Sequence, residues 1–171
     1  MIVIQTTLDR RAMTALARAV RKTLRRGRNG PVRMLAWFVV LVESFLTAVY
    51  LRGGQEGWQI NVLLGLIMLV CILGEDWANG LVALRRIPPD CREVNATFQE
   101  DSAFVCRSQA GEEWRLYQQI KVAVEMADWF ILLLEGGQGR VFSKKGFTWG
   151  TPEEFRARIP EKTGLKILKM R

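Results

Sequence analysis

Two long apolar runs dominate the pattern of hydrophobic and polar positions along the chain. The first run is MLAWFVVLVESFLTAVYL at residues 34–51, and the second is WQINVLLGLIMLVCILG at residues 58–74. Both runs are apolar on every side of a helix, which is typical of helices surrounded by lipid. Each is just long enough to cross a hydrocarbon core of roughly 30 Å. The pattern predicts two transmembrane helices, and the second can continue to about residue 86.

The connection between the two runs is short. Only residues 52–57 separate them, so we predict an antiparallel hairpin with both chain ends on one side. Loops rich in Lys and Arg stay in the cytoplasm, and nine basic residues precede the first run whereas the loop contains Arg52 alone. The sequence therefore predicts a multi-pass protein of the cell membrane with both termini cytoplasmic and residues 52–57 outside. A signal peptide is disfavoured because a second span follows the first.

Polar residues at the cytoplasmic boundary of the predicted hairpin carry opposite charges. Folding the hairpin back near Gly54 places Arg33 opposite Glu75 and Asp76. We expect these three residues to form an interfacial ion pair.

Two further polar residues fall inside the predicted hairpin. Glu43 lies near its middle, with Gly65 and Leu66 opposite, and Asn61 lies toward its outer end. An ionised Glu43 costs about 2.5–3.5 kcal/mol at that depth, which the Leu, Phe and Val residues of its run, at roughly −0.3 to −0.6 kcal/mol each, offset. A carboxyl inside a membrane marks a candidate functional site. It either serves transport in an oligomer, or it is a protonated structural group bonded to a carbonyl or to a second copy.

Residues 1–33 form a basic arm. The first seven residues predict a short strand, and Thr6 followed by Asp9 indicates a helix start. The next residues are apolar on one face and basic on the other, and Gly27, Gly30 and Pro31 are predicted to end this helix. Such a helix beside a membrane suits an anionic inner leaflet. The candidate membrane-surface residues are Arg18, Arg21, Lys22, Arg25, Arg26 and Arg28. Alternatively, the apolar stripe packs on the C-terminal domain and the basic residues serve only topology.

Residues 91–171 change to period-two patterns that predict strands. The run at 129–134 is continuously apolar, as in a strand buried on both faces, and the glycines at 136–139 predict a hairpin turn. Thr151 as cap and Pro152 at the first helical position predict a helix whose length Pro160 limits. The expected domain is a small α+β unit in which about five antiparallel strands precede one C-terminal helix.

Several short motifs between residues 113 and 155 resemble one known family. They are Glu113-Trp114, Gln119-Ile120-Lys121, Asp128-Trp129-Phe130-Ile131-Leu132, Phe142-Ser143-Lys144-Lys145-Gly146-Phe147 and Glu154-Phe155. This set is similar to the C-terminal domain of the YcxB-like family of small bacterial membrane proteins, although residues 142–144 lack the proline usual there. The resemblance implies a leading arm, a two-helix hairpin and a cytoplasmic domain of pleckstrin-homology-like fold. It also suggests phosphoinositide ligands at Arg140, Lys144 and Lys145, for which a solvated hairpin end is the alternative.

Charge and composition narrow the range of functions that the chain can have. The net charge of +8 equals the excess of residues 1–33 alone, so the charge belongs to the arm and not to the fold. The chain has no histidine and three cysteines without a C-x-x-C pair. That excludes His-dependent triads and His-based zinc sites, so we expect no enzyme, no catalytic residues, no cofactor and no metal site. No nucleic-acid-binding motif accompanies the charge, and we expect no nucleic-acid partner.

The sequence therefore favours a membrane-anchored scaffold or interaction module that presents a cytoplasmic domain. Its expected partners are the lipid bilayer, anionic inner-leaflet lipids, and a protein partner or a second copy of the chain. The alternative function is an oligomeric transport- or channel-associated subunit that uses Glu43.

Overall fold

A computed structural model describes residues 1–24, 26–54, 56–99 and 102–170. Across these ranges the fold is mixed α+β, and the chain divides into one unit of Met1–Leu24 with Trp77–Arg171 and another of Arg25–Asp76. The helices are α1 (Arg10–Lys22), α2 (Arg26–Arg52), α3 (Trp58–Arg86) and α4 (Pro152–Thr163). The strands are β1 (Ile2–Thr7), β2 (Glu93–Phe98), β3 (Ala103–Ser108), β4 (Gly111–Leu116), β5 (Ile120–Glu125), β6 (Trp129–Leu134), β7 (Gly139–Ser143), β8 (Phe147–Trp149) and β9 (Ile167–Lys169).

The strands of the first unit form two sheets. One sheet has the order β4-β3-β2-β1-β8, and the other has the order β7-β6-β5-β9. Neighbouring strands are antiparallel except that β9 runs parallel to β5. Our expectation of about five antiparallel strands ending in one helix for residues 91–171 is therefore corrected: the described part of that range forms eight strands, β2–β9, and a strand follows the last helix. The pattern missed β9 because three residues carry no periodicity that distinguishes a strand from a tail.

Strand β1 pairs with β2 although residues 8–92 lie between them. The register runs from Ile2 opposite Phe98 to Thr7 opposite Glu93. On its other edge β1 meets β8, and the Gln5 amide donates to the Gly146 carbonyl at 2.7 Å. Only glycine fits at residue 146, because any Cβ there would collide with the Gln5 carbonyl oxygen. The N-terminal strand is thus an interior strand of a sheet whose other members all follow α3.

Packed phenylalanine rings fill the space between the two sheets. The Phe98 ring stacks on Phe104 with centroids 5.0 Å apart, and it meets the edges of Phe142 at 5.2 Å and Phe155 at 4.9 Å. These rings come from both sheets and from α4, so one core holds all three layers together. Edge-to-face and offset aromatic pairs add about 0.5–1.5 kcal/mol each beyond area burial.

Helix α1 packs on the outer face of the second sheet. Asp9 caps it by accepting from the Ala12 amide at 2.7 Å, and the helix ends at Lys22. Its alanine face, Ala12, Ala15 and Ala19, is buried against sheet residues that include Val124 and Ile131. Of the two interpretations of the apolar stripe, packing on the domain is therefore the one that the structure shows.

The end of α3 lies close to α1. A Cβ built on Gly80 would lie 2.7 Å from the Thr14 amide nitrogen, well inside contact distance. About one helical turn earlier in both helices, the Arg10 guanidinium lies 5.8 Å from the centre of the Trp77 ring. The two helices approach backbone to backbone because residue 80 has no side chain.

Two predicted helix ends are wrong. Gly27, Gly30 and Pro31 do not end α1; they lie in α2, which has begun by Arg26. Pro31 is the sixth residue of α2, so it removes one hydrogen bond within the helix without ending it. Pro160 likewise does not limit α4, which continues to Thr163 and ends at Gly164 with φ of 69°. The predicted N-cap is confirmed, since Thr151 accepts from the Glu154 amide at 3.2 Å.

Helices α2 and α3 are, in the described part of the chain, the two that are long and apolar enough to cross a membrane. The qualifying stretches are Gly30–Arg52 and Trp58–Arg86, and 0% and 6% of their most apolar 18-residue windows are buried. The second run continues to Arg86 as the sequence allowed. Large side chains such as Phe38, Leu41 and Phe45 are 61–68% exposed. Apolar surface of this extent is rare on water-soluble monomers.

The close approach at Gly80 predicts a stability difference between two glycines of the same helix. Gly80→Ala places a methyl group against rigid α1 backbone and should destabilise the protein by about 1–3 kcal/mol. Gly74→Ala meets nothing within 4 Å and should be neutral or stabilise by up to about 1 kcal/mol. Denaturant unfolding of the full chain in detergent micelles measures both values. Equal stabilities for the two variants would contradict the packing.

Candidate functional site

Helices α2 and α3 form a groove that contains polar side chains. Its volume is about 320 Å³. The polar lining residues are Glu43, Ser44, Thr47 and Asn61. The sequence placed Glu43 opposite Gly65, and the structure agrees, because a Cβ on Gly65 would lie 3.7 Å from the Glu43 Cβ. The structure thus brings both predicted intramembrane residues, Glu43 and Asn61, to one groove.

One carboxyl oxygen of Glu43 has no hydrogen-bond donor among the described residues. This oxygen, Oε2, is buried. The hydroxyls of Ser44 and Thr47 cannot supply that bond, since they donate to the Val40 and Glu43 carbonyls at 2.7 and 2.8 Å. An unsatisfied buried acceptor costs about 1–3 kcal/mol. A donor from outside the chain, or the carboxyl's own proton, would remove that cost.

The other predicted site residues are placed as follows. Arg33 and Glu75 are half-buried and Asp76 is 9% exposed. The interfacial ion pair between these residues stays a prediction. Within α1, Arg18 and Arg21 are half-buried and Lys22 is exposed. Arg25 lies outside the described residues, as do the side chains of Arg26 and Arg28.

A buried carboxylate ties α4 to the second sheet. Glu125 is 8% exposed, and it accepts from Lys144 Nζ at 2.7 Å and from Arg156 Nε at 3.0 and 3.1 Å. Both cations also stand over the Phe130 ring, at 5.1 and 5.7 Å from its centre. Burial raises the pKa of Glu125, but the hydrogen bonds from Arg156 and Lys144 outweigh it and hold the pKa below its ordinary value. Glu125 is therefore ionised at neutral pH, and its single negative charge is shared between the two cations.

A second carboxylate organises the opposite end of β7. Glu113 accepts from both Arg115 and Arg140, and Arg115 also donates to Gln138 Oε1 at 3.0 Å. Desolvation raises the pKa of Glu113, yet the two guanidinium groups lower it overall. Arg140 and Lys144 thus belong to separate networks, and the structure does not gather them into the anion site that the resemblance suggested.

A cleft of about 410 Å³ with both apolar and charged lining residues lies between α1, the chain after α3 and the β3–β4 hairpin. Two thiols, Cys91 and Cys106, line it. Burial raises the pKa of Cys106 to about 11, so its thiol stays protonated and unreactive. This fits the small apolar role of a buried cysteine.

Sequence reasoning missed one grouping of charges. Arg11 and Arg18 of α1 share a groove with Lys144 and Lys169, residues from three distant parts of the chain. No local sequence pattern predicts this grouping, because residues 11, 144 and 169 are far apart in the chain and only the fold brings them together.

Comparisons with protein-family models, with curated proteins and with solved structures found no match for the chain. Among the described residues no group of three or more Cys, Asp or Glu side chains could hold a metal ion.

The Glu125 network predicts a pH-dependent stability. A carboxyl whose pKa is lowered in the folded state stabilises the fold above its unfolded pKa, about 4.5, and loses that contribution as pH falls through the folded value. Glu125→Gln should cost about 1–3 kcal/mol at pH 7, and it should lose less stability than the wild type between pH 5 and 3.

The control for that prediction is Glu135→Gln. Glu135 pairs with Lys121 on the surface, where both side chains are more than half exposed, so its loss should cost less than about 1 kcal/mol. Thermal unfolding of the full chain across this pH range measures both variants. A Glu125→Gln variant as stable as Glu135→Gln at pH 7 would refute the role of the network.

Proposed function

We propose that this protein is a membrane-anchored interaction module. In this proposal α2 and α3 cross the cell membrane as an antiparallel hairpin, and the two-sheet unit lies in the cytoplasm with both chain termini. The module acts by binding partners, with no catalysis, cofactor or nucleic acid involved. Its partners are the bilayer, anionic lipids of the inner leaflet, and a protein or a second copy of the chain.

The observation that carries this proposal is the pairing of β1 with β2. These strands flank both apolar helices in sequence and lie side by side in one sheet. A sheet cannot extend through a bilayer, so any membrane crossing between residues 8 and 92 must be matched by a return. Two helices of sufficient length lie in that interval. The pairing therefore supports an even number of crossings and a shared side for both ends.

The charge distribution supports the cytoplasmic side. Basic residues flank the hairpin at both ends, including Arg85 and Arg86 at the close of α3, whereas residues 52–57 contain one. The positive-inside rule assigns such flanks to the cytoplasm. Trp58 and Trp77 stand at positions along α3 suited to the two interfaces of a bilayer.

We also propose membership of the YcxB-like family and a pleckstrin-homology-like fold for the two-sheet unit. Two sheets packed around one core with a helix near the C-terminal end support that fold, and the strand β9 after the helix is an addition to it. Among the aromatic residues of the shared motifs, Phe130 and Phe155 are each 1% exposed, whereas Trp129 and Phe147 are half-buried.

Cysteine labelling tests the proposed topology. In a chain whose three native cysteines are replaced by alanine, Gly53→Cys should react with a membrane-impermeant maleimide added to intact cells. Lys166→Cys should react only after the membrane is opened. Labelling of Lys166→Cys in intact cells would refute the cytoplasmic placement.

The Glu43 groove favours a second candidate function, an oligomeric transport- or channel-associated subunit. Its buried Oε2 atom has no described donor, and a carboxyl in hydrocarbon binds protons, cations or a donor from a second copy. Such a path requires more helices than one hairpin offers, and hence an oligomer.

Glu43→Gln tests this second candidate. Loss of the ionisable group should abolish any proton-coupled flux in reconstituted vesicles and shift the oligomer measured by cross-linking in membranes. The matched control is Glu56→Gln in the connecting loop, which should change neither. Unchanged oligomer and flux in Glu43→Gln would reject the transport function.

A further inference from the structure

A groove of about 620 Å³ runs between α1, the β5–β6 turn and β9. We call it the basic groove, and its charged lining residues are Arg11, Arg18, Glu125, Asp128, Lys144 and Lys169. This volume lies within the roughly 300–1,000 Å³ of small-molecule sites. Apolar side chains, among them Met126 and Trp129, complete its walls. The groove lies wholly within the unit that contains both sheets.

The groove carries an excess of positive charge. Four basic side chains face two acidic ones, and Glu125 is already satisfied from within the fold. Its oxygens accept from Lys144 and also from Arg156, a cation that is not part of the lining. Counted in full, the four basic and two acidic lining residues give the groove a net charge of +2. Clustered cations in a concave site raise the local concentration of anions.

The Lys144 side chain and the helix that carries Arg11 and Arg18 are held in place before any ligand arrives. Glu125 fixes the Lys144 ammonium at 2.7 Å, and the Phe130 ring lies beneath it at 5.1 Å. Helix α1, which carries Arg11 and Arg18, is anchored to the sheet through buried Ala12 and Ala15. Pre-organised donors lose less conformational entropy on binding, so more of each contact becomes affinity.

We propose that the basic groove binds a phosphate-bearing anion. The inference deepens the proposed interaction module by naming the ligand chemistry of its domain. Guanidinium groups bind phosphate oxygens in pairs, and an ammonium adds a point charge, which suits a dianionic phosphomonoester. The cations come from α1, from the end of β7 and from β9, so several phosphate oxygens can be contacted from different directions.

Two sources supply such an anion. One is a lipid headgroup: α1 begins beside Trp77, whose ring lies 5.8 Å from the Arg10 guanidinium, and Trp77 is an expected membrane-interface residue. The other is a soluble phosphorylated molecule. Only the lipid source depends on the proposed membrane anchoring.

The test compares a groove variant with a matched surface variant of the full chain. The groove variant is Arg11→Gln with Lys169→Gln, both at exposed residues. The control is Lys121→Gln with Lys166→Gln, which removes the same charge from exposed residues outside the groove lining. The exchange Arg11→Lys with Lys169→Arg keeps the charge, and it should keep binding if unfolding temperatures are unchanged.

Two probes separate the sources. Pyrophosphate titrated into the protein in phosphatidylcholine nanodiscs, followed by calorimetry, reports the soluble source. Retention of phosphatidic acid over phosphatidylcholine in mixed micelles, followed by native mass spectrometry, reports the lipid source. For at least one probe, the groove variant should bind about tenfold more weakly or worse. The control should stay within about threefold of wild type, because neither of its residues lines the groove and salt screens exposed charges.

The proposal is overturned if wild type binds neither probe, or if groove and control variants weaken binding equally. Insertion of the hairpin is measured separately by the labelling of Gly53→Cys. A protein that inserts correctly but binds neither anion would therefore refute the basic groove and leave the anchoring proposal intact.

Discussion

The pairing of β1 with β2 is the constraint on which the rest of the structure depends. It places the first strand of the chain between strands that are made only after both apolar helices, with Ile2 and Ile4 wholly buried in the common core. Burial of two such side chains contributes about 3–6 kcal/mol, a large part of the usual stability of a domain. The sheet therefore closes only when residues 93–98 come back beside β1, and in the proposed topology this requires the chain to return to the side of the membrane from which it started.

The pairing of β1 with β2 also explains why residues 1–24 of the basic arm are part of the two-sheet unit. Because β1 is held in the sheet, α1 must leave from its end, and its alanine face covers the outer side of the second sheet. Gly80 then allows the end of α3 to approach the backbone of α1. The buried alanine face of α1 is consequently unavailable to a bilayer. In our proposals the net charge of the chain has two roles, one in topology and one in anion binding by the basic groove.

Local features were predictable from the sequence, and long-range partnerships were not. The two apolar helices, the continuously buried strand β6 and the Thr151 cap each follow from a pattern within a few residues. The position of Glu43 opposite Gly65 followed from counting along a hairpin. By contrast, the place of β1 in the sheet, the parallel pairing of β9 and the basic groove depend on contacts between distant segments. Those contacts are set by the shape of the core, which no local period encodes.

The most direct measurement of the central claim is a disulfide cross-link between Val3→Cys and Thr97→Cys, which lie opposite each other in β1 and β2. The experiment uses a chain without its native cysteines and with a protease site inserted after Gly53, placed in sealed, right-side-out membrane vesicles. The cysteines are first oxidised, and protease added outside the vesicles then cuts the inserted site. We predict that the two fragments stay joined until a reductant is added, whereas the fragments of a control with Val3→Cys and Glu93→Cys separate without reductant. Fragments of the first variant that separate without reductant, or a site cut only from the inner side, would contradict this prediction.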